Sequence, residues 1–409
     1  MSTGKLQINT YNETVALPLS DIKIQISLAS NPDKIISETI TNNSGKSDIL
    51  ELEAPPVEYS LTPNSSSRPY EEYNIKISQP GFENINIEHV QILPDSVAEQ
   101  NIYLKKIQDN NQTNLNYFIP EHTLYGTYPA KISEDSVKKL PEPSGLVVLD
   151  KVVIPEFIVV HDGDPNDDSA PNYWIYYQDY IKNVASSEIY ATWPEESIKA
   201  NILTIISFTL NRVYTEWYRN QNKNFTITSS TAYDQKFVYQ RNIFQNISNI
   251  VDDIFTNFIT KPDIKQPLFT QYCDGKNVTC PGWLSQWGSK ELAESGTDYI
   301  NILRTYYGSE IYLDNATQVT GIPSSYPGEI LQLNSTGDSV KTIQRQLNSI
   351  SNNYPAINKL SVDGIYGQNT VDSVKTFQNI FDLPETGITD YKTWYKISRI
   401  YTAVMRFSS

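Results

Sequence analysis

Histidine, cysteine and methionine are scarce in this 409-residue sequence, which contains three, two and two of them. Two cysteines, Cys273 and Cys280, exclude a disulfide-dense scaffold, and they predict either one bridge or two free thiols. The three histidines lie far apart in the sequence, at His89, His122 and His161. A zinc site would need both cysteines together with distant partners, so no metal and no cofactor is predicted.

Long apolar runs and an excess of positive charge are also missing. No stretch approaches the roughly 18 consecutive apolar residues that a membrane span needs, and residues 1–18 contain no apolar core of the kind found in secretory signal peptides. The net charge of −15 argues against DNA, RNA or an anionic membrane surface as a partner. Aromatic residues, by contrast, make up 11% of the chain, which suits a packed globular protein and the binding of sugars.

The chain is long enough for two to four domains, and the pattern of its apolar residues changes along its length. Residues 1–105 alternate apolar and polar positions in short runs, such as 22–28 and 73–77, which predicts a small all-β sandwich. Residues 106–150 lose this periodicity and are rich in Asn, Gln and Pro. They are interpreted as a linker, partly ordered at most, that a protease can reach.

The second half of the chain is more helical. Residues 151–315 combine strand-like runs with a long helical stretch after Pro194, which predicts a mixed α+β domain. A second linker is predicted at 316–329, where Gly and Pro are frequent. Residues 330–409 place apolar residues at helical spacing around a tight turn, which predicts a three-helix module. The predicted fold class is therefore multidomain, with an N-terminal all-β sandwich, a central α+β catalytic domain and a C-terminal helical module.

The C-terminal module carries a specific series of short motifs. In chain order they are Gly337-Asp338-Ser339-Val340, Ile343-Gln344, Leu347-Asn348, Val362-Asp363-Gly364-Ile365-Tyr366-Gly367, Phe377-Gln378, Thr386-Gly387 and Thr393-Trp394. This series resembles the three-helix peptidoglycan-binding domain family. The resemblance implies peptidoglycan as the partner. The turn with its two glycines, Gly364 and Gly367, is expected to expose backbone and Tyr366 for contact with the ligand, and Asp363 is included among the predicted binding residues. Alternatively, Asp363 and the two glycines only shape the turn.

Two separated segments of the central domain carry a second pattern. They run over 180–188, with 193–201 behind it, and over 282–288, with 292–308 behind it. Together they resemble the two signature blocks of the stage II sporulation protein D domain, a family of lytic transglycosylases. With its flanking domains the chain is similar to spore cortex-lytic enzymes of the SleC type. The resemblance implies cleavage of spore cortex peptidoglycan during germination.

The sequence departs from that family at two points. The arginine of the family's long helix falls at Ile206, and the histidine before the second block falls at Cys280. The zinc-ligand cluster of some members has no counterpart, so the resemblance carries over no metal.

One carboxyl group suffices for a lytic transglycosylase, since it protonates the glycosidic oxygen and then, as a base, deprotonates the muramoyl C6 hydroxyl. Glu195 and Glu196 follow Pro194 at a helix start, where acidic residues have an ordinary structural role. Glu188 instead ends a helix of small residues, where desolvation would raise its pKa towards that of a proton donor. The family's catalytic glutamate also maps to Glu188, so Glu188 is the predicted acid and base, and Glu196 is the alternative.

Further residues are predicted to line the substrate groove. They are Lys199, Asp234, Gln235, Ser285 and Gln286. Lys199 matches a functional lysine of the family and is expected to orient substrate, with a solvated helix lysine as the alternative. Each of the other four could instead be a buried hydrogen-bonding residue. Two other functions stay open: an N-acetylmuramidase with Asp234 as its second carboxylate, and a wall-anchored structural protein without activity.

The resemblance also implies a proform that a subtilisin-like germination protease activates. Cleavage is expected between about Ile107 and Val153, in the predicted linker. The β-domain or the linker would cover the groove near Glu188 or hold it misaligned, although the β-domain could instead aid folding or spore targeting. The expected location is the spore cortex or coat.

Overall fold

A computed structural model describes residues 2–12, 16–63, 65–107, 113–140 and 151–408. The N-terminal part is built from strands, since buried apolar residues recur at alternate positions along segments such as 23–28 and 71–77. Its elements are β1 (Ser2–Asn12), β2 (Lys23–Leu28), β3 (Asn31–Ile40), β4 (Leu50–Ala54), the short helix α1 (Glu58–Leu61), β5 (Glu71–Ile77), β6 (Asn84–Ile92), β7 (Val97–Leu104) and β8 (Asn114–Phe118).

These strands form two sheets. In one, β1 lies between β4, which is antiparallel to it, and β7, which is parallel to it; the other has the order β3-β2-β5-β6-β8. The alternating isoleucines of the sequence, Ile24, Ile26, Ile75 and Ile77, are fully buried. Strand β8 falls within the predicted linker 106–150 and pairs in parallel with β6. Part of that segment is therefore an edge strand of the second sheet.

The central part mixes helices with short strands. Its elements are β9 (Val153–Ile154), β10 (Phe157–His161), β11 (Asn172–Tyr176), α2 (Tyr177–Glu188), α3 (Glu195–Tyr214), a 3₁₀ turn (Arg219–Gln221), β12 (Ile227–Thr228), β13 (Ile243–Phe244), α4 (Gln245–Ile254), β14 (Asn257–Thr260), β15 (Tyr272–Cys273), β16 (Leu284–Ser285), α5 (Gln286–Glu294), α6 (Tyr299–Tyr307), β17 (Tyr312–Asn315) and β18 (Gln318–Val319).

Helix α3 is the centre of this part of the molecule. Its residues are buried almost without interruption from Ser197 to Arg212, and α2, α4, α5, α6 and β14 all pack against it. A helix that is apolar on all sides needs such complete cover. Because both helices pack against α3, the C-terminal end of α2 lies close to the N-terminal end of α5.

Strand β13 belongs to the central part of the sequence, yet it completes the first N-terminal sheet. Its two residues pair antiparallel with β7, with Ile243 opposite Glu99 and Phe244 opposite Ala98. Just before it, the Arg241 guanidinium donates to Gln91 Oε1 at 2.9 Å. The sandwich and the central domain therefore share a sheet.

The C-terminal part consists of α7 (Asp338–Ile350), α8 (Gln368–Ile380) and α9 (Tyr391–Ser408). Each of the first two helices carries a buried glutamine that clamps the turn after it. The Gln344 side chain accepts from Gly364 N at 3.0 Å and donates to Ile365 O at 3.0 Å. The Gln378 side chain repeats this with Gly387 N at 2.8 Å and Ile388 O at 2.9 Å.

The helical module also contacts both other parts. Lys46 of the sandwich pairs with Asp382 at 2.5 Å, and Arg399 of α9 donates to Asp179 of α2 at 2.9 Å. Cys273 and Cys280 are joined in a disulfide, which decides between the two states that the sequence allowed. Within the described ranges, no helix is both long and apolar enough to cross a membrane.

Candidate active site and peptidoglycan-binding domain

Helix α2 delivers Glu188 to the interior of the central domain. The small residues Ala185, Ser186 and Ser187 allow the last turn of the helix to pack closely, and the helix ends because Ile189 is extended. The Ile189 N–H still donates to Ala185 O at 3.0 Å. As a result Glu188 is 3% exposed, a rare degree of burial for a carboxyl group.

Both carboxyl oxygens of Glu188 accept hydrogen bonds. Oε1 accepts from the Lys236 backbone N–H at 2.6 Å, and Oε2 accepts from the Tyr272 hydroxyl. Burial raises the pKa of Glu188, while the Lys131 ammonium, the Tyr272 hydroxyl and the Lys236 N–H oppose that rise. The net effect is a raised pKa, so Glu188 holds its proton more readily than an exposed glutamate does.

Glu188 faces a cavity of about 350 Å³. One wall comes from the central domain and includes Thr231, Tyr272, Asp274 and Gln286. The other wall consists of residues from 123 to 131, which belong to the segment predicted as a linker. We call residues 119–140 the strap. Within the described residues the strap runs from the end of β8 across the surface of the central domain.

A second cavity, of about 380 Å³, lies at the far end of α3 and is lined by Val153, Phe157, Tyr214 and Tyr218 among others. Its wall includes Glu216, which is not among the site residues predicted from the sequence. The Glu188 cavity is the better candidate because it contains a buried carboxyl group with a raised pKa.

The alternative glutamate, Glu196, has a structural partner. Its Oε2 accepts the Tyr299 N–H at 2.7 Å, where α6 begins. Neither Glu196 nor Lys199 lines the Glu188 cavity. Lys199 pairs with Glu195 one helical turn away at 2.6 Å. The structure therefore does not bring these two predicted residues to the site.

Asp234 and Gln235 are fully buried and are saturated with hydrogen bonds. Asp234 accepts from Arg212 Nε and the Tyr218 hydroxyl at 2.7 Å each, and from Thr228 N and Oγ1 at 2.9 and 2.8 Å. Gln235 accepts from the Tyr180 hydroxyl at 3.0 Å. Asp234 does not line the cavity, so it is not placed to activate a water there.

Ser285 and Gln286 stand where α5 begins. The Ser285 hydroxyl caps the helix by accepting the Gly288 N–H at 2.9 Å. The Gln286 side chain lines the cavity and donates to the Glu188 carbonyl at 3.0 Å. Gln286 thus holds the end of α2 in place from the start of α5.

In the C-terminal module, Tyr366 was predicted to face the ligand, but its side chain is fully buried. Its hydroxyl lies 3.1 Å from Gly387 O and 2.9 Å from Thr389 Oγ1. Asp363 Oδ1 accepts from Ile365 N at 2.9 Å and so shapes the turn. The left-handed backbone of Gly364, with φ of +77°, and the helix start at Gly367 serve the same turn.

Three residues beside Glu188 were not foreseen from the sequence: Lys131, Lys236 and Tyr272. Lys131 lies over the Tyr272 ring, 4.8 Å from its centroid, and donates to the Asp234 carbonyl. Tyr272 adjoins the Leu284-Ser285 motif through the β15–β16 pair, and this adjacency needs tertiary structure to be seen. The part of the chain that the structure describes contains no group of three or more His, Cys, Asp or Glu residues that could hold a metal.

Comparison with known proteins gives a specific result for one region. The family model described as a putative peptidoglycan binding domain matches residues 336–397. No curated protein matches the chain. The solved structures that match include the following two, whose TM-scores are too low to support an argument. The SleB N-terminal domain is 25% identical over 19% of this chain and 99% of its own, with a TM-score of 0.17. GBS52, the minor pilin of the gram-positive pathogen Streptococcus agalactiae, is 14% identical over 30% of this chain and 49% of its own, with a TM-score of 0.19.

The match over 336–397 spans α7, α8 and the start of α9, the region in which the sequence predicted this family. The prediction of the module is therefore confirmed. The chain carries a peptidoglycan-binding domain at its C-terminus.

Proposed function

We propose that the chain is a lytic transglycosylase that cuts the glycan strand of spore cortex peptidoglycan, with Glu188 as its general acid and base. The observation that carries the proposal is a buried glutamate with a raised pKa that faces a cavity, in a chain that also carries a peptidoglycan-binding domain. The peptidoglycan-binding domain supplies the substrate class. The sequence resemblance to the stage II sporulation protein D family supplies the reaction type.

The local geometry suits the two steps of this reaction. In the first, protonated Glu188 gives its proton to the oxygen between N-acetylmuramic acid and N-acetylglucosamine as the C1–O bond breaks. The Lys236 N–H and the Tyr272 hydroxyl then stabilise the new carboxylate. In the second, the carboxylate takes the proton of the muramoyl C6 hydroxyl, whose oxygen bonds to C1 and closes the 1,6-anhydro ring. No water is consumed.

One other carboxylate, Asp274, lines the same cavity. Its oxygens accept the N–H groups of Lys276, Asn277 and Val278 at 2.9–3.2 Å and so hold the loop closed by the disulfide. A hydrolase would need a second carboxylate free to activate water. The arrangement favours the single-carboxylate reaction over an N-acetylmuramidase.

The test compares two glutamates by the same substitution after the chain has been cut by a subtilisin-like protease. Glu188→Gln should reduce the rate of cortex digestion by about 10²- to 10⁴-fold, the usual contribution of general acid–base catalysis. Glu196→Gln should leave it unchanged, because a glutamine oxygen can still accept the Tyr299 N–H. Mass spectrometry of the muropeptides should show 1,6-anhydro ends, one water lighter than reducing ends. Lysis that survives Glu188→Gln would refute the assignment, and reducing ends would make the enzyme a hydrolase.

The same proposal includes storage as a proform in the spore cortex or coat and activation by a subtilisin-like germination protease. The expected cleavage region, Ile107 to Val153, includes residues 108–112 and 141–150, which lie outside the described residues. Uncut chain should leave decoated spores turbid, and protease-cut chain should clear them. Equal activity of the two would refute the proform, and immunogold label confined to the vegetative cytoplasm would refute the location.

A further inference from the structure

The second cavity, at the far end of α3, contains a buried carboxyl group to which the described residues offer no partner. Glu216 lies on the wall of this cavity and is only 9% exposed. Within the described parts of the chain, no ion pair and no hydrogen bond reaches its carboxyl oxygens. A glutamate is almost never buried to this degree unless it is paired. Its carboxyl group is therefore available to a cationic group of a ligand in the cavity.

The backbone holds Glu216 at a position that normally favours glycine. At the end of α3 the Glu216 N–H donates to Val213 O at 3.2 Å, and the Trp217 N–H donates to Arg212 O at 3.3 Å. This pair of bonds requires a left-handed backbone at Glu216, whose φ is +45°. A glycine would adopt that conformation without strain, whereas a glutamate is strained there. Strain of this kind is concentrated at functional sites, which supports a role for the side chain in binding.

The same turn also supplies a cation to the cavity. Arg219 follows Glu216 by three positions, lines the cavity and is exposed. Its guanidinium forms no ion pair within the described ranges. Arg212 lines the cavity too, but its charge is neutralised by Asp234 at 2.7 Å, and Lys151 is a further cation on the wall. The cavity therefore presents an available negative charge and an available positive charge on one turn.

Much of the remaining wall is apolar. Phe157, Tyr218 and Phe225 contribute aromatic rings. The Tyr218 hydroxyl is engaged by Asp234 at 2.7 Å, so Tyr218 adds its ring to the wall. The volume of about 380 Å³ lies in the range of roughly 300–1,000 Å³ that small-molecule sites occupy. Among the described residues the second cavity shares no lining residue with the Glu188 cavity, so it is a separate site.

We propose that the second cavity binds a zwitterionic amino acid group: its ammonium pairs with Glu216, its carboxylate pairs with Arg219, and its side chain packs against the aromatic rings. Opposite charges on one turn match the opposite charges that an amino acid carries on one carbon atom. Such a group has two sources, a free amino acid and the unlinked end of the diamino acid in a peptidoglycan stem peptide. The proposal does not depend on the role assigned to Glu188.

The experiment measures binding to the full, uncut chain by isothermal titration calorimetry. One probe is L-phenylalanine. The other is the tripeptide L-Ala-D-Glu-meso-diaminopimelate, whose last residue ends in a zwitterion on an aliphatic chain. We expect saturable binding of at least one probe. Acetylation of the amine of that zwitterion removes its positive charge and should weaken binding by at least about 10-fold, since a hydrogen bond between charged groups contributes that much.

Two variants connect the binding to this cavity. Glu216→Gln and Arg219→Gln each remove one charge, and each should weaken binding by at least about 10-fold. The matched controls are Glu310→Gln, which loses an exposed ion pair with Lys261, and Arg304→Gln on the exposed side of α6. Both controls should bind like wild type. Because the Glu216 carboxyl group has no partner to lose among the described residues, Glu216→Gln should not lower the urea midpoint of the ligand-free protein.

The results identify the ligand or reject the site. Binding of phenylalanine alone indicates a free amino acid, binding of the tripeptide alone indicates the stem peptide, and binding of both indicates recognition of the zwitterion itself. The peptidoglycan-binding domain is a second place for the tripeptide to bind, so for that probe the two variants decide. No binding of either probe, binding that either folded variant retains in full, or a lower urea midpoint of Glu216→Gln overturns the proposal. Each of these failures leaves the proposed function standing.

Discussion

Replacing Tyr272 by phenylalanine tests the most specific contact in the site. The Tyr272 hydroxyl donates to Glu188 Oε2, and this bond favours the ionised carboxylate. A hydrogen bond to a charged group is worth about 1.5–3 kcal/mol. Without it the carboxylate is less stable, so Glu188 should keep its proton to a higher pH. The phenyl ring still fills the same space, because the change removes one oxygen atom.

The assay is the pH dependence of muropeptide release by the protease-cut chain. The first step needs protonated Glu188, so the rate falls as pH rises past its pKa. In Tyr272→Phe this alkaline limb should move to higher pH. The comparison is made at a pH above the Glu188 pKa of both proteins, with each rate expressed relative to that protein's own optimum. There the relative rate of Tyr272→Phe should exceed that of wild type by about 10- to 100-fold, since about 1.4 kcal/mol corresponds to a factor of ten.

Tyr307→Phe is the matched control. The Tyr307 hydroxyl donates to the backbone oxygen of Gln271, the residue before Tyr272, at 2.8 Å. Tyr307 does not contact Glu188. Its removal should lower stability and leave the alkaline limb where it is. An alkaline limb that does not move in Tyr272→Phe, or that moves equally in both variants, would refute the role assigned to Tyr272.

Three further predictions concern structure. Tyr366→Phe should lower the stability of the C-terminal module by about 1–3 kcal/mol, because Gly387 O loses a buried donor. Its binding to purified sacculi in a pull-down should not change. Weaker binding by the folded variant would show that Tyr366 contacts the ligand after all. Replacing Cys273 and Cys280 together by serine should lower the unfolding free energy of the central domain by about 2–3 kcal/mol, because the unfolded chain loses the entropic restraint of this short disulfide loop. Urea unfolding measures the change. If reductant destabilised the variant as much as it destabilises wild type, the prediction would be contradicted. Burial, with help from the Arg241 charge, lowers the pKa of His122 in the folded protein, so His122 takes up a proton at a higher pH in the unfolded state than in the folded state. Stability should therefore fall as pH drops below about 6.5. Urea unfolding at pH 5 and 7 should show this fall in wild type but not in His122→Gln.

The sequence was most informative where local pattern and burial agree. Apolar residues at helical spacing predicted the helices of the C-terminal module, and the family match confirms that module. The turn residue Tyr366 shows the limit of the same method. Motif position cannot tell which way a side chain points, and here the second turn of the module supplies the acceptor that buries its hydroxyl.

The surroundings of Glu188 were beyond prediction for a different reason. Its partners Tyr272 and Lys131 lie 84 and 57 positions away in the sequence, and no periodicity links them. The strap looked like a linker because it is polar and rich in proline. Its order comes from an ion pair to α3 and from hydrogen bonds to the end of α2 and to loop residues such as Ala232 and Phe269, none of which leaves a periodic signal.

Strand β13 has a kinetic consequence. A cut between residues 140 and 151 turns one chain into two, but the fragments still share a sheet, because β13 on one side of the cut pairs with β7 on the other. The β13–β7 pairing and the Arg241–Gln91 hydrogen bond are non-covalent, so cleavage of the chain elsewhere does not break them. The two fragments separate only when these contacts dissociate. The N-terminal fragment should therefore co-elute with the remainder after proteolysis is complete, and any step that needs the two to part would lag behind the cut by the lifetime of that pairing.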